Sequence, residues 1–269
     1  IYYQPQTDSY VEKRPTVRVG LVQWQMRPYK DVDDLFEQVE FFVDSVSDYK
    51  SDFVLFPEYF NAPLMAKFND MGEAQSIRGL AQYTEQIRDR FVELAISYNI
   101  NIITGSMPYV KEDGGLYNVG FLCRRDGSYD MYEKIHVTPD EQKSWGLSQG
   151  NRVQTFDTDC GKIGILICYD VEFPELSRIM AEDGMQILFV PFNTDTQNAY
   201  ARVKVCAQAR AVENECYVAI AGSVGNLPRV HNMDIQYAQS AVFTPCDFAF
   251  PTDGKRAMAT PGIEQILVA

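Results

Sequence analysis

Histidine is nearly missing from this sequence: His136 and His231 are the only two among 269 residues. A Cys–His protease needs a histidine base beside its nucleophile, and neither residue sits in such a context. No C-x-x-C pair occurs among the six cysteines, which disfavours a zinc site built from Cys and His. The cysteines are even in number, but the size of the chain and the lack of a secretory pattern favour reduced thiols in the cytoplasm over a disulfide framework. Positive charge is also scarce, with 24 Lys and Arg against 37 Asp and Glu and a formal net charge of −13. That balance argues against nucleic acid and anionic membrane surfaces as partners. No apolar run approaches the roughly 20 residues of a membrane span. No basic segment leading into an apolar one opens the chain, and no low-complexity stretch or short repeat interrupts it. The first residue is Ile1 rather than Met, so an upstream domain remains open.

What is present describes an ordinary globular chain, 46% hydrophobic and 23% charged. A chain of this length buries about 70–75% of its unfolded surface. Residues 1–15 read as an extended lead-in, and 16–269 as a single unit. Strands are expected at 16–24, 52–56, 100–107, 116–123, 129–134, 153–156, 161–168, 186–190 and 216–221, with a last strand near 266–269. Helices are expected from Asp31 or Asp33 to about Tyr49, from Tyr83 to Tyr98, after Pro174, and from Asp195 to Asn214. Strand–helix–strand–helix–strand therefore appears twice, once on each side of a hairpin region. Two packed sheets with helices outside accommodate both halves.

The apolar run 163–167 stops on Cys168, and Pro174 fits the first turn of a helix just beyond. Cys168 thus marks a strand-to-helix elbow, where free N–H groups can face a ligand and lower the pKa of a thiol. The ordinary alternative is a core cysteine, since free Cys is among the most buried residue types. Glu58 follows the strand 52–56 and Lys134 ends the strand 129–134. In open α/β sheets ligands gather beyond the carboxyl ends of strands, so a carboxylate, an amine and a thiol at three such ends can meet. Spacing alone does not bring them together, and Lys and Glu are usually exposed.

The segments Phe56-Pro57-Glu58, Glu133-Lys134-Ile135-His136 and Cys168-Tyr169-Asp170-x-x-Phe173-Pro174-Glu175 resemble the three motifs of the nitrilase, or carbon–nitrogen hydrolase, superfamily. Their order and separation agree with that family from about Val17 to the C-terminus. The resemblance implies an α/β four-layer α-β-β-α sandwich that pairs as a homodimer, with Glu58, Lys134 and Cys168 acting without metal or cofactor. It also implies a second glutamate beyond the lysine, which Glu141 matches best. Glu133 is the competitor by proximity, but side chains alternate along a strand and it should point away from Lys134. Tyr169, Asn193, Asp195, Tyr59, Tyr117 and Trp145 are expected to line the substrate pocket. Arg178 reads as a structural ion-pair partner.

The expected activity is hydrolysis of a non-peptide C–N bond in a small linear amide or carbamoyl compound. Tyr169-Asp170 after the cysteine resembles the amidase and carbamoylase branches, whereas true nitrile hydrolases tend to carry Trp-Glu there. Acyl transfer to an amine from the same thioester, and nitrile hydrolysis, stand as alternatives, as does a binding protein with a dead site on the same fold. The segment from Pro139-Asp140-Glu141 to Trp145-Gly146-Leu147 further resembles a subgroup often fused to an upstream acetyltransferase domain.

Overall fold

A computed structural model describes residues 16–269; the expected lead-in, 1–15, lies outside the described residues. The path begins with β1 (Val19–Met26), α1 (Val32–Asp48) and β2 (Phe53–Leu55), then crosses a 3-10 segment (Ala62–Phe68) to α2 (Glu73–Ala81) and α3 (Thr84–Ser97). Next come β3 (Asn101–Ile103), β4 (Met107–Val110), β5 (Leu116–Cys123) and β6 (Tyr129–Glu133). A single π-turn (Glu141–Trp145) precedes β7 (Thr155–Thr158), β8 (Gly161–Ile165), α4 (Pro174–Glu182), β9 (Ile187–Phe192) and α5 (Gln197–Asn214). The last strands are β10 (Tyr217–Asn226), β11 (Ile235–Gln236), β12 (Ala241–Phe243), β13 (Lys255–Met258) and β14 (Gln265–Val268).

One sheet runs β5-β3-β2-β1, with β4 and β6 also on β5 and β14 antiparallel to β1. The second runs β10-β9-β8-β7, with β12 and β13 beyond β10. They join where Trp24 to Met26 of β1 pair in parallel with Ser223 to Gly225 of β10.

Alternation along the strands separates two cores. Val22, Trp24, Val54 and Phe56 pack in the same core as α1 and α3, where Phe36 meets Phe91 at 5.2 Å. Their neighbours Val19, Leu21, Phe53 and Leu55 belong instead with β8, β9 and β10, and Phe53 meets Phe189 at 5.1 Å. Met180 of α4 and Tyr200, Val203, Ala207 and Ala211 of α5 cover the far side of the second sheet. The result is the expected α-β-β-α sandwich. Strands buried on both faces explain the continuous apolar runs, since each large apolar side chain gains about 1.5–3 kcal/mol on full burial.

Local chemistry accounts for the boundaries. The Asp31 carboxylate caps α1 through the Asp34 N–H at 3.0 Å, and Thr196 caps α5 through the Ala199 N–H at 3.2 Å, so α5 starts two residues later than expected. The single strand expected at 100–107 is broken by Gly105, whose φ of +72° starts a kink. A Cβ there would lie 2.0 Å from the Pro57 carbonyl oxygen, so only glycine allows this approach to the segment carrying Glu58. The helix α2 was not expected; its nine residues include polar side chains along much of their length, which weakens the periodic signal.

Candidate active site

Glu58 and Cys168 each stand where the chain leaves a strand. Beyond β2, the Phe56 N–H still donates to Ile103 O at 3.0 Å and Glu58 bridges Ser106, after which Tyr59 turns with φ +52°. Beyond β8, the Leu166 N–H donates to Phe189 O at 3.0 Å, and Cys168 then takes φ +47° to open a 3-10 turn over Cys168–Glu172. A left-handed conformation at a residue other than glycine costs on the order of 1–3 kcal/mol and persists only where the surroundings enforce it. Pro174 then opens α4 at its first position, as expected. The first N–H groups of the 3-10 turn, that of Tyr169 among them, have no acceptor within the turn.

Lys134, one residue past β6, brings two carboxylates together. Its side chain is 1% exposed, and Nζ donates to Glu58 Oε1 at 2.8 Å and lies 3.0 and 2.9 Å from the two oxygens of Glu141. Asn118 Nδ2 donates to the same Glu58 oxygen at 2.9 Å and to Glu141 Oε1 at 3.3 Å. The other Glu58 oxygen accepts the Asn193 N–H at 3.0 Å, while the Asn193 carbonyl lies 3.7 Å from Cys168 Sγ as its acceptor. The charge of Glu58 acts on the thiol across the same cleft. Glu141 is held from three further directions. Tyr59 Oη donates to it at 2.9 Å, the Thr138 N–H donates to Oε2 at 2.8 Å, and the Glu141 N–H returns to Thr138 Oγ1 at 3.2 Å. Glu133 does point away, to Lys111 and to the Asn151 N–H.

Burial separates the acid–base behaviour of these groups. It pushes the Glu58 carboxyl above the usual range despite the pull of Lys134, with the charge of Glu141 adding to the rise. Burial also opposes ionisation of Glu141, but Lys134 and the Thr138 N–H outweigh it and hold that carboxyl below the usual range. For Lys134, burial alone would lower the ammonium; Glu141 and Glu58 reverse this and hold it well above its ordinary value. The Cys168 thiol is pushed well up by burial and then by the Glu58 charge, against Lys134. The lowered thiol pKa expected from the elbow is therefore corrected: burial, and after it the charge of Glu58, raise it against the pull of Lys134.

These groups share a cleft of about 900 Å³, whose walls include Tyr59, Trp145, Tyr169, Asn193 and Asp195. Trp145 packs edge-on against Tyr59 with ring centroids 5.3 Å apart. Tyr117 is not part of this cleft. It precedes Asn118 on β5 and so faces the other way, with its hydroxyl on Asp113 at 3.0 Å and Lys111 over its ring. Arg178 forms no ion pair among the described residues; its guanidinium donates to the Glu213 carbonyl at 2.8 Å.

Three features of the site escape the sequence reading. Asn118 is adjacent to a residue that was singled out, and the pairing of Lys134 N–H with Asn118 O at 2.9 Å shows the hairpin register that would have found it. The wall formed by Asn232 to Gln236 carries no motif, and Arg202, 3.7 Å from Glu172, is one of many polar residues along α5. Among the described residues no group of three or more Cys, His, Asp or Glu is arranged to hold a metal ion. Among the same residues no helix is long and apolar enough to cross a membrane.

Comparison with known proteins agrees with this architecture. The carbon-nitrogen hydrolase family pattern matches residues 18–247. The probable hydrolase YhcX of Bacillus subtilis is 46% identical over 267 residues, which are 99% of this chain and 52% of YhcX. The chain thus spans about half the length of that relative. Human omega-amidase NIT2 is 32% identical over 217 residues, 76% of this chain and 73% of NIT2. The crystal structure of Saccharomyces cerevisiae Nit3, a member of branch 10 of the nitrilase superfamily, superposes with a TM-score of 0.74 at 25% identity, covering 94% of this chain and 89% of Nit3. The narrower subgroup with an upstream acetyltransferase domain finds no support in the matched span. Over that span, with the sandwich fold around it, the chain belongs to the carbon–nitrogen hydrolase family of the nitrilase superfamily.

Proposed function

We propose that this chain hydrolyses a non-peptide C–N bond in a small linear amide or carbamoyl compound through a thioester on Cys168. The observation that carries the reading is the Lys134 ammonium set between Glu58 and Glu141, with Cys168 lining the same cleft. Two carboxylates whose surroundings push their pKa values apart take different tasks. Glu58, raised, is suited to accept and return a proton; Glu141, lowered, is a fixed counter-charge for Lys134.

In this reading the Cys168 sulfur attacks the carbonyl carbon while its proton passes to Glu58. The carbonyl oxygen becomes an oxyanion, stabilised by Lys134 Nζ and the Tyr169 N–H. Glu58 returns the proton to the departing nitrogen, the C–N bond breaks, and ammonia or an amine leaves a thioester behind. Glu58 then takes a proton from water, the hydroxyl adds to the thioester, and the acid leaves as Cys168 recovers its proton. The homodimer implied by the family resemblance belongs to the same reading, as does the cytoplasmic location expected from the reduced cysteines. The omega-amidase relative supports the amide class, and the probable hydrolase relative supports hydrolysis.

Outside the Lys134 cluster, Asp140, Glu172, Asp195 and Asp234 line the cleft against Arg202. Such a mouth attracts cations and repels anions. On a panel of short linear amides ending in a methyl, an amine or a carboxylate, ammonia release is expected throughout the neutral and amine-ended members. The KM of the amine-ended amide should be about 10-fold below that of the carboxylate-ended one at low salt, converging at high salt. Added hydroxylamine separates hydrolysis from acyl transfer: hydrolysis predicts free acid as the main product at low hydroxylamine. Absence of ammonia from every member contradicts the amidase reading.

A further inference from the structure

Asp170 lies two residues beyond Cys168 and is fully buried, yet it does not line the cleft. Its carboxylate reaches across to the segment that follows Lys134. Oδ2 accepts the Ile135 N–H at 3.0 Å, and Oδ1 accepts the His136 N–H at 2.7 Å and lies 3.0 Å from His136 Nδ1. These two backbone N–H groups lie just past the end of β6, where the sheet no longer supplies acceptors. A charged acceptor with several such bonds is strong and directional. The His136 ring also stacks on Phe173 at 3.6 Å and 5°, so the middle of the 3-10 turn and the residue just past it both grip the Lys134 segment.

Lys134 and Tyr169 come from different sheets, yet the proposed reaction requires their N–H groups to meet one oxygen. We infer that Asp170 is a positioning residue: by tying the backbone after Lys134 to the turn that carries Cys168 and Tyr169, it sets the spacing of the oxyanion pocket. The inference rests on the amidase reading above. Glu58 and Cys168 are held by other contacts, to Asn118 and to the Asn193 backbone, so thiol chemistry and pocket spacing separate. A displacement of about 1 Å at such a site costs on the order of 10²-fold in rate.

The test is Asp170→Asn, which keeps the volume but presents an NH₂ group where an acceptor is needed. Activity is counted per Cys168 titrated with iodoacetamide, so that unfolded protein does not contribute. The expected result is kcat lowered about 10²-fold with KM within about 2-fold and an unchanged rate of Cys168 alkylation. A kcat per titrated thiol equal to that of the parent enzyme overturns the inference, as does a loss explained entirely by slower alkylation. Should Asp170→Asn not fold, His136→Phe decides: it keeps the stack on Phe173 and removes one donor to Asp170. A kcat about 3-fold lower at unchanged KM supports the inference, and a parental kcat overturns it. Failure of the parent enzyme to release ammonia from any amide would instead sink the underlying amidase reading.

Discussion

Replacing Cys168 by alanine is expected to lower ammonia release from an amide substrate by on the order of 10⁶-fold, the scale of removing a covalent nucleophile. The size follows from what would remain. Lys134 and the Tyr169 N–H would still polarise a bound carbonyl, but no atom would be placed to attack it except water. Glu58 cannot replace the sulfur, because it is already held by Lys134, Asn118 and the Asn193 N–H. The fold should survive, since the elbow is enforced by β8, β9 and α4 rather than by the thiol. The expected readout is an unchanged circular dichroism spectrum with turnover at the uncatalysed level. Turnover within 10-fold of the parent would remove Cys168 from the nucleophile's place.

Replacing Lys134 by methionine is expected to reduce both rate and stability. The ammonium is the one cation touching Glu58 and Glu141 among the described residues, and all three side chains are nearly inaccessible to water. Breaking a buried ion pair by deleting one partner costs about 3–5 kcal/mol, because the remaining charge is left without compensation. Loss of an oxyanion donor costs a further 10²–10³-fold or so in kcat. The pH dependence has a definite sign. Lys134 holds the Glu58 carboxyl down against the burial that raises it, so removing the ammonium lets that carboxyl rise further. Glu58 then stays protonated to higher pH, and the acid limb of kcat/KM in Lys134→Met should move toward neutrality. For Glu141, whose folded-state pKa is lowered, the linked stability exists above the unfolded value and is lost as pH falls. Without Lys134 that contribution shrinks, so the variant should lose less stability than the parent on acidification. A limb that stays in place, or an unchanged melting temperature, would contradict this account.

The sequence made part of this site readable for a physical reason. Glu58 and Cys168 each follow an apolar run, and such ends can be found from the point where a buried run stops; Lys134 follows β6, where only Tyr132 is buried, and is legible from its motif instead. Glu141 is less direct. Its position depends on a π-turn and on bonds to Thr138 and Tyr59, none of which follows from periodicity. Asn118 and Tyr117 show the limit most clearly. Both lie in the same strand, and only the register with β6 decides which of the two faces the cleft. The direction of the thiol's pKa is hidden for another reason, since it follows first from burial and then from which charges the fold brings near the sulfur. His136 lacked any evident partner because Asp170 is 34 residues away. The cleft wall from Asn232 to Gln236 is irregular chain brought in by the fold.

In the proposed reaction one sulfur, activated by Glu58 and faced by Lys134, carries the acyl group during turnover. A p-nitrophenyl ester of a short acyl group carries a good leaving group and is expected to acylate faster than its thioester hydrolyses, so quenching with acid in the first turnover should trap the intermediate. The expected result is a burst of nitrophenolate equal to the enzyme and a Cys168 peptide heavier by the mass of the acyl group. A burst with Cys168 unmodified, or with the acyl group on any other residue, would contradict it.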